Sequence, residues 1–160
     1  DEVILLQNTA NSEISITKDY LNSPLRCFID PILINQVFNN LLKNAIESIG
    51  TAVNRGLLKS KTDAIIKVAV SMTETNILVK IIDNGIGLPK KKNQLFEPYV
   101  TSRENGIGLG LAIVKKIVEE HDGYLNLFDA ESFPPFEHCG AVAQVSLPII
   151  SEQDGQIRLL

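Results

Sequence analysis

Asn40 and Asn44 stand four residues apart in Asn40-Leu41-Leu42-Lys43-Asn44-Ala45, inside an apolar pattern of helical period. That spacing stacks two carboxamides on one helix face, and Gln36 extends the polar stripe by a turn. Asn is a mediocre helix former, so two of them on one mid-helix face ask for a reason. A carboxamide oxygen is a hard, neutral ligand suited to Mg²⁺, which keeps several waters and takes phosphate oxygens of a substrate. The alternative is a solvated helix face with spare amides. A second constellation is Asp83-Asn84-Gly85-Ile86-Gly87, directly after a run of Val and Ile. A carboxylate at a strand end can accept a hydrogen bond from an exocyclic amine such as that of adenine. The glycines Gly85 and Gly87 let backbone and ligand approach closely, although Asn-Gly is also a common turn pair.

The third is Gly106-Ile107-Gly108-Leu109-Gly110-Leu111, opening a helical pattern. Glycine-rich backbone leading into a helix N-terminus is a ready anion site, with free N–H groups and a favourable dipole. Lone glycine patterns are weak, but the competitors can be tested. A dinucleotide fingerprint needs a strand immediately before it and a third glycine where Leu111 stands, and the protein-kinase glycine loop fails at the same residue. The P-loop pattern is absent. The only histidines are His121, at the C-terminal end of a helical pattern where positive charge is comfortable, and His138, in a Pro-rich loop with no evident partner.

These groups need a scaffold. Asp30-Pro31 starts a helix, with Asp30 as N-cap, and Ile34, Val37, Phe38, Leu41, Leu42, Ala45 and Ile49 recur at helical spacing up to a stop at Gly50. Residues 50–63 read as a loop with room for one helical turn. Strands are expected at 13–17, 26–29, 64–71, 77–82, 124–128 and 141–147, with a hairpin turn at 73–76 and a loop at 129–140. Helices are expected at 2–8 and 109–121. Consecutive paired strands with helices apart from them point to an α+β fold: a two-layer sandwich, a mixed sheet of about five strands with about three helices on one face.

The 160 residues suit one domain, and 44% apolar with 21% charged residues is ordinary for a folded protein. A net charge of −4 argues against a dedicated nucleic-acid binder, yet leaves room for a local phosphate site. No apolar run approaches about eighteen residues, so no membrane contact is expected. Cys27 and Cys139 make neither a disulfide framework nor a CxxC metal pair, which fits a reducing compartment. The chain opens mid-pattern on Asp1-Glu2-Val3, without an initiator Met or signal peptide, and reads as a fragment of something longer.

The order of these motifs resembles the catalytic and ATP-binding domain of bacterial sensor histidine kinases, within the gyrase, Hsp90, histidine kinase and MutL (GHKL) ATPases. Residues 40–45 resemble the N box, 83–87 the G1 box, Leu95-Phe96-Glu97-Pro98-Tyr99 the F box, and 106–111 the G2 box, and the likeness covers about residues 1–148. It implies the Bergerat ATP-binding fold as a single domain over 1–150, with an ATP lid at about 88–105 and a tail at 151–160. Asn44 would coordinate Mg²⁺ with Asn40 assisting, Lys43 would supply positive charge although it points off the Asn face, and Asp83 would take the adenine amine. Gly106, Gly108 and Gly110 would turn N–H groups to the phosphates beside Leu111, Phe96 would anchor the lid, and Arg103 would touch the phosphates. The stretch from Gly108 to His121 and residues 127–130 are similar to NtrY-type kinases of nitrogen regulation.

Two residues depart from the pattern: Ala141, where a threonine often follows the glycine, and Glu47, where many relatives carry lysine. Asn40 stands where hydrolysing relatives and serine kinases carry a glutamate base, and an amide cannot take up a proton at neutral pH. The resemblance therefore implies transfer of the γ-phosphoryl group of Mg-ATP to a histidine, a reaction that rests on positioning and charge neutralisation. The acceptor would lie on a separate dimerisation domain of the parent kinase, with a response regulator receiver domain as the further partner and a cytoplasmic location, as part of a membrane-anchored sensor kinase. The competing expectations are a nucleotide-binding interaction module without phosphotransfer and a GHKL ATPase.

Overall fold

The computed structural model describes residues 15–19, 26–90, 95–96, 110–134 and 138–149. The expected helix at 2–8, most of the expected lid, Arg103, Gly106, Gly108 and the tail at 151–160 lie outside the described residues. The elements in chain order are β1 (Ser15–Asp19), α1 (Pro31–Asn54), a 3-10 turn (Lys61–Asp63), β2 (Ile65–Met72), β3 (Asn76–Asp83), α2 (Gly110–Glu120), β4 (Tyr124–Ser132) and β5 (Cys139–Pro148).

Helix α1 begins where its sequence says. Asp30 is the N-cap, its Oδ1 accepting the N–H groups of Ile32 at 2.8 Å and Leu33 at 3.1 Å, with Pro31 at the first helical position. Gly50 does not end it. The helix runs on to Asn54 because Ala52 beyond the glycine is fully buried and Val53 packs on the core. That burial outweighs the cost of a mid-helix glycine, about 1 kcal/mol. The true stop is Gly56, at φ 72°, with its N–H on the Val53 carbonyl and the Leu57 N–H on the Ala52 carbonyl. Those two bonds make a Schellman ending.

The strands form one five-stranded sheet in the order β1-β2-β3-β5-β4, with β1 parallel to β2 and all other neighbours antiparallel. The Thr73 N–H donates to the Asn76 carbonyl at 2.8 Å and closes the β2–β3 hairpin. β4 runs further than its apolar pattern, to Ser132, with an irregular register between Asp129 and Ser132, so the expected loop is shorter. Residues 26–29, expected as a strand, pair with no strand and lead straight into the α1 cap. Ile66 and Val68 of β2, Ile81 of β3, and Val145 and Leu147 of β5 meet Val37, Leu41, Ala45 and Ile49 of α1 and Val114, Ile117 and Val118 of α2 in one core. The result is the expected α+β sandwich: a mixed five-stranded sheet with the helical layer on one face. No helix among the described residues is long and apolar enough to cross a membrane.

Candidate nucleotide site

Asp83 is the last residue of β3, in register with Ile66 on one side and Ala141 on the other. The central position of β3 leaves the carboxyl only 5% exposed. Its Oδ1 accepts the Ser48 hydroxyl at 3.2 Å and the Gly85 N–H at 2.9 Å, and the Ala141 N–H is a third donor. Burial disfavours the charged form more than these donors favour it, and the carboxyl is pushed up to about 6. The result is a buried acceptor poised near neutrality.

Ser48 escaped the sequence reading. Its hydroxyl also accepts the Ile86 N–H at 3.1 Å, so one oxygen ties α1 both to Asp83 and to the loop after it. The signal was present: Asn40, Asn44 and Ser48 recur every four residues and share a face. All three are half-buried. The stripe spans roughly 12 Å of helix axis, the scale of a nucleoside triphosphate from base to phosphates.

Asn84 is a core residue, fully buried, as well as part of a turn. Its Oδ1 accepts the Ile65 N–H at 2.8 Å, and its Nδ2 donates to the Asp63 carbonyl at 2.9 Å. Its own carbonyl lies 2.8 Å from Nε2 of His138, which must therefore donate. His138, expected to lack a partner, thus holds the loop from the far side. The glycines here serve protein packing. A Cβ on Gly85 would overlap the Ser48 hydroxyl, one on Gly140 would overlap the Asp83 carbonyl, and Gly87 at φ 72° passes the Cys139 carbonyl. Gly110 opens α2 with nothing near its missing Cβ, and Leu111 behind it packs on the core.

Phe96 sits with its ring 5.4 Å from Nζ of Lys115 on α2, a cation–π contact. Lys43 is 73% exposed and lies 4.0 Å from Glu47, away from the Asn stripe. His121, at the end of α2, accepts the Asp30 N–H at its Nε2 at 2.9 Å. Among the described residues no group of three or more His, Cys, Asp and Glu could hold a metal. The carboxamides of Asn40 and Asn44 are the oxygen donors on the stripe, and two neutral oxygens one turn apart fit a Mg²⁺ that draws its remaining ligands from phosphate and water.

The chain is similar to known proteins in both sequence and fold. Nitrogen regulation protein NtrY of Azorhizobium caulinodans is 47% identical over 102 residues, 63% of this chain and 13% of that protein. Sensory histidine kinase/phosphatase NtrB of Rhodobacter capsulatus is 33% identical over 144 residues, 86% of this chain and 38% of that protein. The chain thus spans well under half the length of these relatives. Among solved structures, the catalytic domain of histidine kinase ThkA superposes with a TM-score of 0.70 at 26% identity, covering 92% of this chain and 88% of that one. The mycobacterial sensor histidine kinase MprB shares the fold, with a TM-score of 0.75 at 23% identity over 92% of this chain and 89% of that one. The helix carrying Asn40 and Asn44, the strand ending at Asp83 and the helix opened by Gly110 all fall within residues 29–151, the span matched by one family, and the chain belongs to it: the histidine kinase-, DNA gyrase B-, and HSP90-like ATPases.

Proposed function

We propose that this chain is the ATP-binding catalytic domain of a two-component sensor histidine kinase, binding Mg-ATP and supplying its γ-phosphoryl group to a histidine on a separate dimerisation domain. The observation that carries the reading is Asp83: a buried carboxylate at a sheet end, beside a helix stripe whose Asn40 has no proton-accepting group. Asp83 accepts from the adenine amine and sets the register of the nucleotide. Asn44, with Asn40 a turn away, holds Mg²⁺, which offsets the phosphate charge when bound. By their place in the motif Gly106, Gly108, Gly110 and Arg103 contact the phosphates, and the Phe96 ring meets Lys115 of α2.

Both histidines support an acceptor outside the chain. The His121 nitrogens face the Asp30 N–H and the Ile117 carbonyl, and His138 Nε2 holds the Asn84 carbonyl. A nitrogen occupied by backbone is a poor nucleophile. The partners are then the histidine-bearing domain of the parent kinase and, through it, a receiver domain, in the cytoplasm. Ala141 favours a second reading, a nucleotide-binding module without phosphotransfer, because a hydroxyl that relatives often place there is missing. Titration of ATP with and without Mg²⁺, followed by labelled ATP and a purified acceptor domain, separates the two. Label on the acceptor histidine supports the kinase. Binding without label leaves only the module, and no binding by a folded sample refutes both.

A further inference from the structure

The Ser48 hydroxyl has no role in the nucleotide chemistry above, and the contacts it makes give it one. It is the only side chain among the described residues that donates to Asp83; the other two donors are backbone N–H groups. It reaches Asp83 across 35 residues of sequence, from a different layer of the fold. Its second contact, from the Ile86 N–H, fixes the direction of the hydroxyl, since an oxygen accepting there turns its own proton toward Oδ1.

We propose that Ser48 is the positioning residue of the adenine site: its hydroxyl holds Oδ1 of Asp83 in a fixed orientation and keeps the carboxylate an acceptor at neutral pH. The inference rests on the nucleotide reading of Asp83. Its physical content is a competition. Burial favours the protonated acid, and a protonated carboxyl offers a donor where the adenine amine also donates. Each hydrogen bond to the carboxylate opposes that. Ser48 supplies one of three such bonds, and it is the one that substitution can remove.

The neighbouring charges do not confuse the assignment. The titratable and charged groups on the elements packed around Asp83 are Lys43 and Glu47 on α1, Lys61 and Asp63 at the 3-10 turn, Lys67 on β2, Lys80 on β3, Tyr124, Asp129 and Glu131 on β4, Cys139 on β5 and His138 just ahead of it. Burial and hydrogen bonds, rather than any of these charges, set where Asp83 titrates.

The test has two arms. In the first, the Asp83 carboxyl carbon is titrated by NMR without nucleotide in the wild type, Ser48→Ala and Ser48→Thr. The midpoint should rise in the alanine variant and return toward the wild-type value in the threonine variant, which restores a hydroxyl. An unmoved midpoint in folded Ser48→Ala overturns the proposal whether or not the chain binds ATP. In the second arm, Mg-ATP affinity is measured from about pH 6 to about pH 8. The wild-type advantage over Ser48→Ala should be about fivefold at the acid end and within about twofold at the alkaline end, because losing the hydroxyl favours the protonated acid and that costs affinity only where the carboxyl titrates. The titration of the nucleotide itself cancels in the ratio. A constant ratio across the range means that Ser48 only braces the fold, and overturns the proposal. If no adenine nucleotide binds the wild type, the nucleotide reading fails, while the first arm still decides whether Ser48 controls Asp83. Should Ser48→Ala not fold, the threonine variant is compared with Ser48→Cys, whose weak S–H donor must give the higher midpoint; equal midpoints overturn the proposal.

Discussion

His121 Nε2 accepts the Asp30 N–H at 2.9 Å across 91 residues of sequence, joining the end of α2 to the start of α1. Its Nδ1 lies 2.7 Å from the Ile117 carbonyl. A carbonyl cannot donate, so Nδ1 is the donor of that contact. The two helices that flank the site are therefore clasped at the end remote from Asp83. His121→Ala should destabilise the domain by about 1–2 kcal/mol, the cost of two lost hydrogen bonds offset partly by water. Urea denaturation reads this directly, and an unchanged midpoint would show that the clasp adds nothing.

Asp83→Asn keeps an oxygen for Ser48 and Gly85 but loses the charge. Affinity for ATP should fall by about 1.5–3 kcal/mol, the scale of a charged hydrogen bond. Calorimetric titration measures it. A loss within error would place the base elsewhere.

The same carboxyl gives the nucleotide-free domain a pH signature. Folding raises Asp83 from its ordinary 3.8 to about 6, so the folded chain holds a proton that the unfolded chain has shed. The stabilisation is complete below the lower value and lost as pH climbs through the upper one. Between about pH 4 and pH 6 the wild type should lose about 2–3 kcal/mol that Asp83→Asn retains. Denaturation midpoints of the two proteins across that window should diverge; parallel curves would show that Asp83 titrates normally.

Gly140→Ala and Gly110→Ala make an informative pair. A methyl at 140 overlaps the Asp83 carbonyl, which is backbone and cannot step aside. Stability should drop by at least about 1–3 kcal/mol and nucleotide affinity with it. A methyl at 110 meets nothing and sits in the first turn of a helix, so stability should hold or rise by up to about 1 kcal/mol. Thermal melts in parallel provide the comparison, and equal destabilisation by the two would contradict the packing at β3 and β5.

Asn44→Ala should abolish the Mg²⁺ dependence of ATP binding in a domain that remains folded. Asn40→Ala should weaken it less. Titrations with Mg²⁺ and with a chelator give the difference, and unaltered dependence in Asn44→Ala would remove that residue from the metal site.

The legible parts of this fold were those written locally. Asp30-Pro31 announced a helix start because capping uses neighbours two and three residues away. Asp83 was legible because a charged residue ending an apolar strand is costly without a purpose. Gly50 misled, since a glycine stop competes with burial, and Ala52 and Val53 belong to a core the local pattern does not reveal. Ser48 and His138 went unassigned for a related reason. Their partners lie 35 and 54 residues away, and only the docking of α1 on β3 and of β5 beside it brings them near. Asn84 looked like a turn former, yet its amide bridges Asp63 and Ile65, a role set by tertiary placement.

The β3–β5 ladder runs unbroken from Asn76↔Pro148 to Asp83↔Ala141, and the Asp83 carboxyl occupies its last rung. Strand ends ordinarily fray, and this one is pinned by the tight passage at Gly140 and by His138 on the Asn84 carbonyl. Local opening at the site is thereby tied to opening of the central strands, so a bound nucleotide stabilises the whole domain rather than a loop. By mass action, ATP at a hundred times its dissociation constant adds about 2.7 kcal/mol. The melting temperature of this domain is in consequence a gauge of nucleotide supply.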